Sequence, residues 1–329
     1  MYTAFYKLQD EPFLLTPDER FYFSSRVHAQ AMAHLTYGLQ RREGFIVITG
    51  DVGAGKTTLV KRLIAQIDPQ KVVAAHVVTT LLSGHDLLRM VAGTLGLRDL
   101  PADKSGVLLR LQSFFEATHR QERRALLIVD EAQNLSEGAL EELRMLSNIQ
   151  VGNAAPFQSF LVGQPQFRKI IASPDLEQLR QRVIASYHLG PLSVDDCGEY
   201  ISHRLKRVGW TGDPAFDSDA IVALHRQSGG IPRRINTLGN RLMMLGFLDD
   251  LHRFSAGDVD RVAADLANEM NGLDETNVES FSPRAPQRID GVAGRLNQIE
   301  QRLVQQESQM RRASNFFQNF FGPRSSDVS

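Results

Sequence analysis

The sequence predicts an α/β fold: a parallel five-stranded sheet flanked by helices, then a small all-helical domain and a helical or coiled-coil tail. Three observations carry this. Short apolar, β-branched runs without polar alternation recur between residues 44 and 189, which is how strands buried on both faces of a parallel sheet read. Helical apolar spacing fills the intervals between them, the rhythm of a doubly wound sheet. From about Ser193 the runs stop and only helical spacing remains.

Taken in order, residues 1–44 form an entry segment. Phe5, Tyr6, Phe13, Phe21, Tyr22 and Phe23 are spaced among Pro12, Pro17 and charged residues, and Val27, Ala31, Leu35 and Leu39 then recur at helical spacing. Gly44-Phe-Ile-Val-Ile-Thr is the first strand, followed by a glycine-rich loop and a helix from Thr58. Lys71–Val78 is the second strand and residues 108–118 a helix; Ala125–Asp130 is the third, with a helix over Ala139–Leu146. Phe157–Gly163 is the fourth strand, and Ser186–Leu189 a weaker fifth. Ligands of such sheets sit at the carboxyl ends of the strands. Helical patterns then cover Asp195–Val208, Ser218–Gln227, Arg234–Leu248 and Ala256–Ala267. After Met270 the chain turns polar, and Pro283 and Pro286 mark a linker. Ile289, Val292, Leu296, Ile299, Leu303, Gln306 and Met310 alternate spacings of three and four, which suits either about three heptads of coiled coil or a surface helix packed on its own chain.

Bulk composition narrows the function classes. Hydrophobic residues make up 42% and charged residues 23% of 329 residues, with a formal net charge of -1. That composition builds a core and supplies no overall basic field toward nucleic acid or anionic lipid. Cys197 is the one cysteine, so no disulfide forms within the chain, and a small core role is expected for it. The nine histidines are scattered without the spacing of a helical zinc site. No secretion signal opens the chain and no stretch reaches the roughly 18 apolar residues of a membrane span. A cytoplasmic protein with at most peripheral membrane contact is expected.

The loop between the first strand and its helix carries the chemistry. Gly50, Gly55, Lys56 and Thr57 fit G-x-x-x-x-G-K-[ST], with a further glycine at Gly53. Glycines allow backbone angles that turn N–H groups toward phosphate oxygens, and the next helix presents its positive end there. Residues Gly50, Asp51, Val52, Gly53, Ala54, Gly55, Lys56, Thr57 and Thr58 are therefore the expected cradle for ATP. Lys56 is expected to reach the β- and γ-phosphates, and the Thr57 hydroxyl to ligate Mg2+. The third strand ends in Asp130-Glu131. Asp130 is expected to hold the magnesium from the tip of a strand adjacent to the loop, and Glu131 to orient the attacking water.

These motifs resemble those of the AAA+ family of P-loop ATPases. Within it, Phe5-Tyr-Lys-Leu-Gln-Asp-Glu-Pro-Phe, Gly44-Phe-Ile-Val-Ile-Thr-Gly, Asp130-Glu-Ala-Gln-Asn-Leu and Leu161-Val-Gly-Gln-Pro resemble the ExeA/GspA-like secretion ATPases, above all the subfamily found beside exosortase (PEP-CTERM) and exopolysaccharide loci. The resemblance covers roughly residues 1–270. It fits an ATPase core over 45–192 and a helical lid over 193–270, beyond which the polar stretch and the three-and-four spacing set off a linker over 271–288 and a coiled-coil helix with a Phe-rich tail over 289–329. It further implies that Gln164 is the sensor-1 residue, that Arg182 is an arginine finger acting on a neighbouring subunit, with Arg180 as the competing choice, and that Arg233 is the sensor-2 arginine. A guanidinium suits each arginine role because it stays charged and grips phosphate in a fork.

Such an enzyme is expected to work as a homo-oligomer, ring or filament, coupling ATP hydrolysis to a membrane-associated secretion or polysaccharide-assembly system. The alternative is a DNA-associated regulator of the transposition-ATPase type, which the near-zero charge and the lack of a recognition module disfavour. Phe316, Phe317, Phe320 and Phe321 share one helical face after Arg311 and Arg312, a pattern that suits a docking peptide, a membrane-surface contact or a fold-back onto the chain itself.

Overall fold

The computed structural model describes residues 1–16, 18–78 and 83–275. The expected coiled-coil helix, the linker and the Phe-rich tail lie outside the described residues.

The chain begins with α1 (Tyr2–Phe5) and α2 (Arg26–Arg41). The Ser25 hydroxyl accepts from the His28 N–H at the start of α2, satisfying one of the leading amides. Then come β1 (Phe45–Gly50), α3 (Lys56–Gln66), β2 (Val72–Val78), α4 (Gly84–Thr94) and α5 (Lys104–Arg120). They are followed by β3 (Arg124–Asp130), α6 (Glu137–Ser147), β4 (Phe157–Gly163), α7 (Gln166–Ile171), α8 (Glu177–Arg180) and β5 (Val183–Leu189). All five strands are parallel in the order β2-β3-β4-β1-β5.

Alternate residues of β1, β3 and β4 bury into opposite layers, whereas the edge strands β2 and β5 are only partly buried. Val47, Val77, Leu127, Val129 and Leu161 join one core with α4, α5 and α6. Ile46, Ile48, Leu126, Ile128, Phe160 and Val162 join the other with α2 and α3. This two-sided burial is why these strands read as unbroken apolar runs. The sequence analysis does not assign α4, although Ser83 caps it and Leu87, Leu88, Val91 and Ala92 form its buried face. Five of its eleven residues are apolar, but Ser83-Gly-His-Asp at its start and Gly93 near its end read as turns rather than as a helix. The fifth strand starts three residues earlier than expected, at Val183.

Beyond β5, α9 (Val194–Arg207), β6 (Ala215–Phe216), α10 (Ser218–Ser228), α11 (Pro232–Leu248), β7 (Arg253–Phe254) and α12 (Ala256–Glu275) complete the described chain. The expectation that strands stop at Ser193 is corrected by the parallel pair β6-β7. Two residues per strand are too short for any alternation to register in sequence. Among the described residues no helix is long and apolar enough to cross a membrane.

The aromatic entry segment packs into this helical layer. Tyr2, Tyr6, Phe13 and Phe21 share a core with Tyr200, Leu205, Leu242 and Phe254. A Cβ on Gly239 would stand 2.9 Å from the Phe13 ring, and one on Gly246 would stand 2.0 Å from the Tyr6 hydroxyl. Glycine inside a helix costs about 0.5–1 kcal/mol. Here it opens two notches on α11, each filled by an aromatic ring whose burial returns more than that. Cys197 is buried in the same core, and burial pushes its thiol up to about 12.

Candidate phosphate-binding site

The glycine loop joins β1 to α3 at the carboxyl end of the sheet. Gly53 has φ +84 and Gly55 φ +97, angles that favour a residue without Cβ. Space is limiting as well. A Cβ on Gly53 would lie 2.4 Å from Cβ of Arg233, and one on Gly55 would lie 2.8 Å from Nε2 of His28. The loop is thus walled by the first turn of α11 and by α2. No side chain caps α3, which leaves its leading N–H groups to an anion. Asp51 and Val52 are exposed at the loop tip, whereas Gly50 and Ala54 are buried.

Lys56 is 6% exposed, and its Nζ donates to the carbonyl oxygens of Gly50 at 2.8 Å and Asp51 at 2.9 Å. Burial lowers its pKa, and the carboxylates of Glu131, Asp130 and Asp51 oppose that shift. The ammonium rests on two neutral dipoles, a weaker partnership than one with phosphate oxygens.

Thr57 Oγ1 donates to Asp130 Oδ2 at 2.8 Å. Asp130 is 3% exposed, and its Oδ1 accepts the Glu131 N–H at 2.9 Å. The tip of β3 meets the loop through the Thr57–Asp130 bond although β3 is not the hydrogen-bonded neighbour of β1. β4 lies between β3 and β1, and the loop carries Thr57 past the end of β4 to meet the carboxylate. A hydroxyl and a carboxylate oxygen held this close are hard donors of the kind magnesium accepts, and Thr57 and Asp130 would hold the ion. The residues fit the ion.

Glu131 Oε2 accepts from two amides, Gln133 Nε2 at 2.5 Å and Gln164 Nε2 at 3.2 Å. Gln164 therefore lies between the end of β4 and Glu131. Arg233 lines the same cavity, and its backbone N–H donates to Gly53 O at 3.2 Å. Arg182 and Arg180 lie elsewhere. The Arg182 carbonyl accepts the N–H of Phe45, which puts Arg182 at the amino end of the sheet. Six residues of β1 separate that end from the loop, a span of roughly 20 Å at strand rise. Its Nη1 donates to Ser147 O at 3.1 Å and Ser147 Oγ at 3.3 Å, while Arg180 pairs with Glu177 at 2.9 Å. Neither guanidinium can reach a phosphate held by this chain's own loop.

A cavity of about 250 Å³ opens from the loop toward the entry segment. Its far end is lined by Leu14, Tyr22, Phe23, Leu192, Tyr200 and Asn236. Arg204, 6% exposed, closes it by donating to the carbonyls of Pro12 and Leu14 and to the Tyr200 hydroxyl, and it stacks over Phe21. Of these residues only Pro12, Phe21, Tyr22 and Phe23 stand out in the sequence, and nothing there predicts their destination. His28 is likewise unassigned. Its Nε2 lies 3.1 Å from Ala54 O in the loop and its Nδ1 2.7 Å from Ser25 Oγ. Because a carbonyl only accepts, Nε2 carries the proton.

Residues 39–171 match the family described as AAA domain, and an AAA domain with this loop implies ATP binding. Over 271 residues the chain is 37% identical to the general secretion pathway protein A of Aeromonas hydrophila, covering 81% of this chain and 49% of that protein. The chain thus spans about half the length of that curated relative. Among solved structures, Cdc6p from Pyrobaculum aerophilum is similar with a TM-score of 0.60 at 15% identity, over 78% of this chain and 71% of that one. The Aeropyrum pernix ORC1 protein, solved in complex with DNA, has a TM-score of 0.56 at 15% identity, over 79% and 70% of the two chains. At such identity the likeness is one of fold alone.

Proposed function

We propose that this chain, which matches the AAA domain family over residues 39–171 and is 37% identical to general secretion pathway protein A of Aeromonas hydrophila, hydrolyses ATP to drive a membrane-associated secretion or exopolysaccharide system of the PEP-CTERM/exosortase type. One observation supports the chemistry above all others: Lys56, the Thr57–Asp130 pair and Glu131 converge at the carboxyl end of one sheet although 73 residues separate Thr57 from Asp130. The similarity to general secretion pathway protein A supports a secretion role, and the exosortase and exopolysaccharide part of the reading rests on the sequence resemblance alone.

In this reading the loop amides and the first turn of α3 bind the phosphate oxygens. Lys56 leaves Gly50 O and Asp51 O for the β- and γ-phosphates, and Arg233 approaches them from α11. Thr57 and Asp130 hold magnesium, which when bound neutralises charge that builds on the transferred phosphoryl group. Glu131 orients a water in line with that group, and Gln164 fixes the far side of the carboxylate. The base and ribose occupy the end of the cavity between the entry segment and α9.

Turnover in this reading needs a neighbour, since Arg182 stands about a strand length from its own loop. We expect the ATPase rate per subunit to rise with protein concentration, and Arg182→Ala to lower it by roughly 10³–10⁵. A rate independent of concentration from a proven monomer contradicts this. Glu131→Gln should bind Mg-ATP normally without turning it over. Wild-type protein with no affinity for adenine nucleotide in the presence of magnesium would end the whole proposal. For the pathway, a Glu131→Gln trap should retain a membrane-associated secretion or polysaccharide-assembly protein in pull-downs. DNA-stimulated hydrolysis with a steep salt dependence would transfer the protein to the DNA-associated class.

A further inference from the structure

Glu131 occupies an unusual backbone position. Its φ of 55 places it in the left-handed region, a conformation that costs a non-glycine residue about 1 kcal/mol or more and persists where surroundings enforce it. The residues that follow, Ala132–Asn134, form one 3-10 turn, and this turn swings Gln133 back across the strand end. Its Nε2 donates to Glu131 Oε2 at 2.5 Å, and its Oε1 accepts the backbone N–H of Gln164 at 2.9 Å. Gly163, the last residue of β4, makes room for that reach: a Cβ there would stand 3.0 Å from Gln133 Oε1.

From these contacts we infer that Gln133 is a positioning residue that sets the Glu131 carboxylate and ties it to the end of β4. The inference rests on the reading of Glu131 as the group that orients water. The demand on the side chain is specific. It must donate to a carboxylate and accept from a main-chain N–H at once, which a carboxamide does with its two ends. Glutamate at this position accepts from Gln164 but repels Glu131. Methionine fills the space and does neither. Asparagine is one methylene too short to span from the turn to both partners.

The bridge also couples two places. Gln164 meets Glu131 directly through its side chain and indirectly through Gln133, so a displacement of the β4 end reaches the same carboxylate oxygen by both routes. When phosphate engages Gln164, its main-chain N–H carries the Gln133 amide with it, and the carboxylate turns toward the water site. A misplacement of roughly 1 Å in such a group costs on the order of 100-fold in rate.

The test compares Gln133→Met, Gln133→Glu and Glu131→Gln with wild type, measuring kcat and KM for Mg-ATP, the Kd for ADP, and the thermal midpoint. Gln133→Met is expected to lower kcat by about 10- to 100-fold while KM, ADP affinity and thermal midpoint stay at wild-type values. Gln133→Glu should be lower still, because it adds repulsion to the lost bond. Wild-type kcat in Gln133→Met alongside an inactive Glu131→Gln overturns the inference and leaves the ATPase reading standing. Full turnover in Glu131→Gln removes the reading beneath it. A loss of ADP affinity and thermal midpoint in parallel with kcat makes Gln133 a structural brace and overturns the inference too.

Discussion

The two ends of the nucleotide cavity are built on opposite plans. The phosphate end is made from nine consecutive residues, Gly50–Thr58, with Asp130 and Glu131 brought to it by one strand. Its shape comes from backbone angles at Gly53 and Gly55, and its polar groups act through local bonds such as Lys56 to Gly50 O. The other end is assembled from Leu14, Leu192, Tyr200 and Asn236, which meet only when the entry segment docks on α9 and α11. What holds that docking is a buried arginine: Arg204 on α9 reaches the carbonyls of Pro12 and Leu14, and Asn236 on α11 donates to the same Leu14 carbonyl at 3.3 Å. The first end is a local conformation carrying chemistry. The second is a tertiary contact that happens to make a wall. Damage to the first should therefore cost function without stability, and damage to the second should cost both.

Lys56→Ala probes that contrast with the largest effect. A hydrogen bond to a charged group contributes about 1.5–3 kcal/mol, and the ammonium makes more than one to a triphosphate, so ATP affinity should fall about 100-fold or more. Folding should change little, because removing a charge whose burial is unfavourable offsets the loss of its bonds to the Gly50 and Asp51 carbonyls. Isothermal titration with Mg-ATP and a thermal melt of the ligand-free protein read the two quantities. A drop of several degrees in the ligand-free midpoint would break the comparison at its first end.

Arg204→Met asks the reverse question with a smaller functional effect. Methionine keeps an apolar side chain of similar length but loses the guanidinium that stacks over Phe21, and it leaves the Pro12 and Leu14 carbonyls and the Tyr200 hydroxyl short of a donor in a buried place. Stranding such groups costs about 2–4 kcal/mol in all, or roughly 5–10 °C in thermal midpoint. ATP affinity should fall only about tenfold, 1.4 kcal/mol, because the phosphate grip is intact. Unchanged stability in Arg204→Met would show that the entry segment is held by its aromatic rings alone.

The same contrast explains what could be read from sequence. The loop, the Asp130-Glu131 pair and the inner strands were legible because each is a contiguous pattern with a local cause, glycines for positive φ and apolar runs for two-sided burial, while the edge strand β5, mostly outside the core, gave a weaker run and a misplaced start. The placement of Asp130 was legible too, but the path to it was not, since nothing in a linear pattern says that β4 inserts between β3 and β1. The far end of the cavity left only a trace, the spaced aromatics from Phe5 to Phe23. Their partners are glycine notches at Gly239 and Gly246 and a single arginine within a basic run, and neither has a signature that distinguishes it from an ordinary helix residue. Gln133 was in plain view inside the Asp130-Glu-Ala-Gln motif. Its reach became visible only with the left-handed turn at Glu131, which no propensity predicts for that residue type.

His28 stands where the two ends join, on the first turn of α2 and against Ala54 of the loop. Its smallest-effect prediction separates them by pH. Burial lowers its pKa below that of an exposed histidine, against smaller opposing contributions from its bond to Ala54 O and from Asp196. The neutral ring is thus the folded form, with Nε2–H donating to Ala54 and Nδ1 accepting from Ser25. The unfolded chain takes up a proton near pH 6.5 while the folded one resists. Stability from this group is therefore fully present above about pH 6.5 and is lost as pH falls from there through the lowered folded value. Ligand-free protein should melt at a lower temperature at pH 5.5 than at pH 7.5. His28→Gln should be less stable at pH 7.5 but show a shallower decline between the two, because its amide can still donate to Ala54 and has nothing to titrate. An equal decline in both proteins would place the pH sensitivity outside the junction, and the loop and the entry segment would then be coupled by packing rather than by this ring.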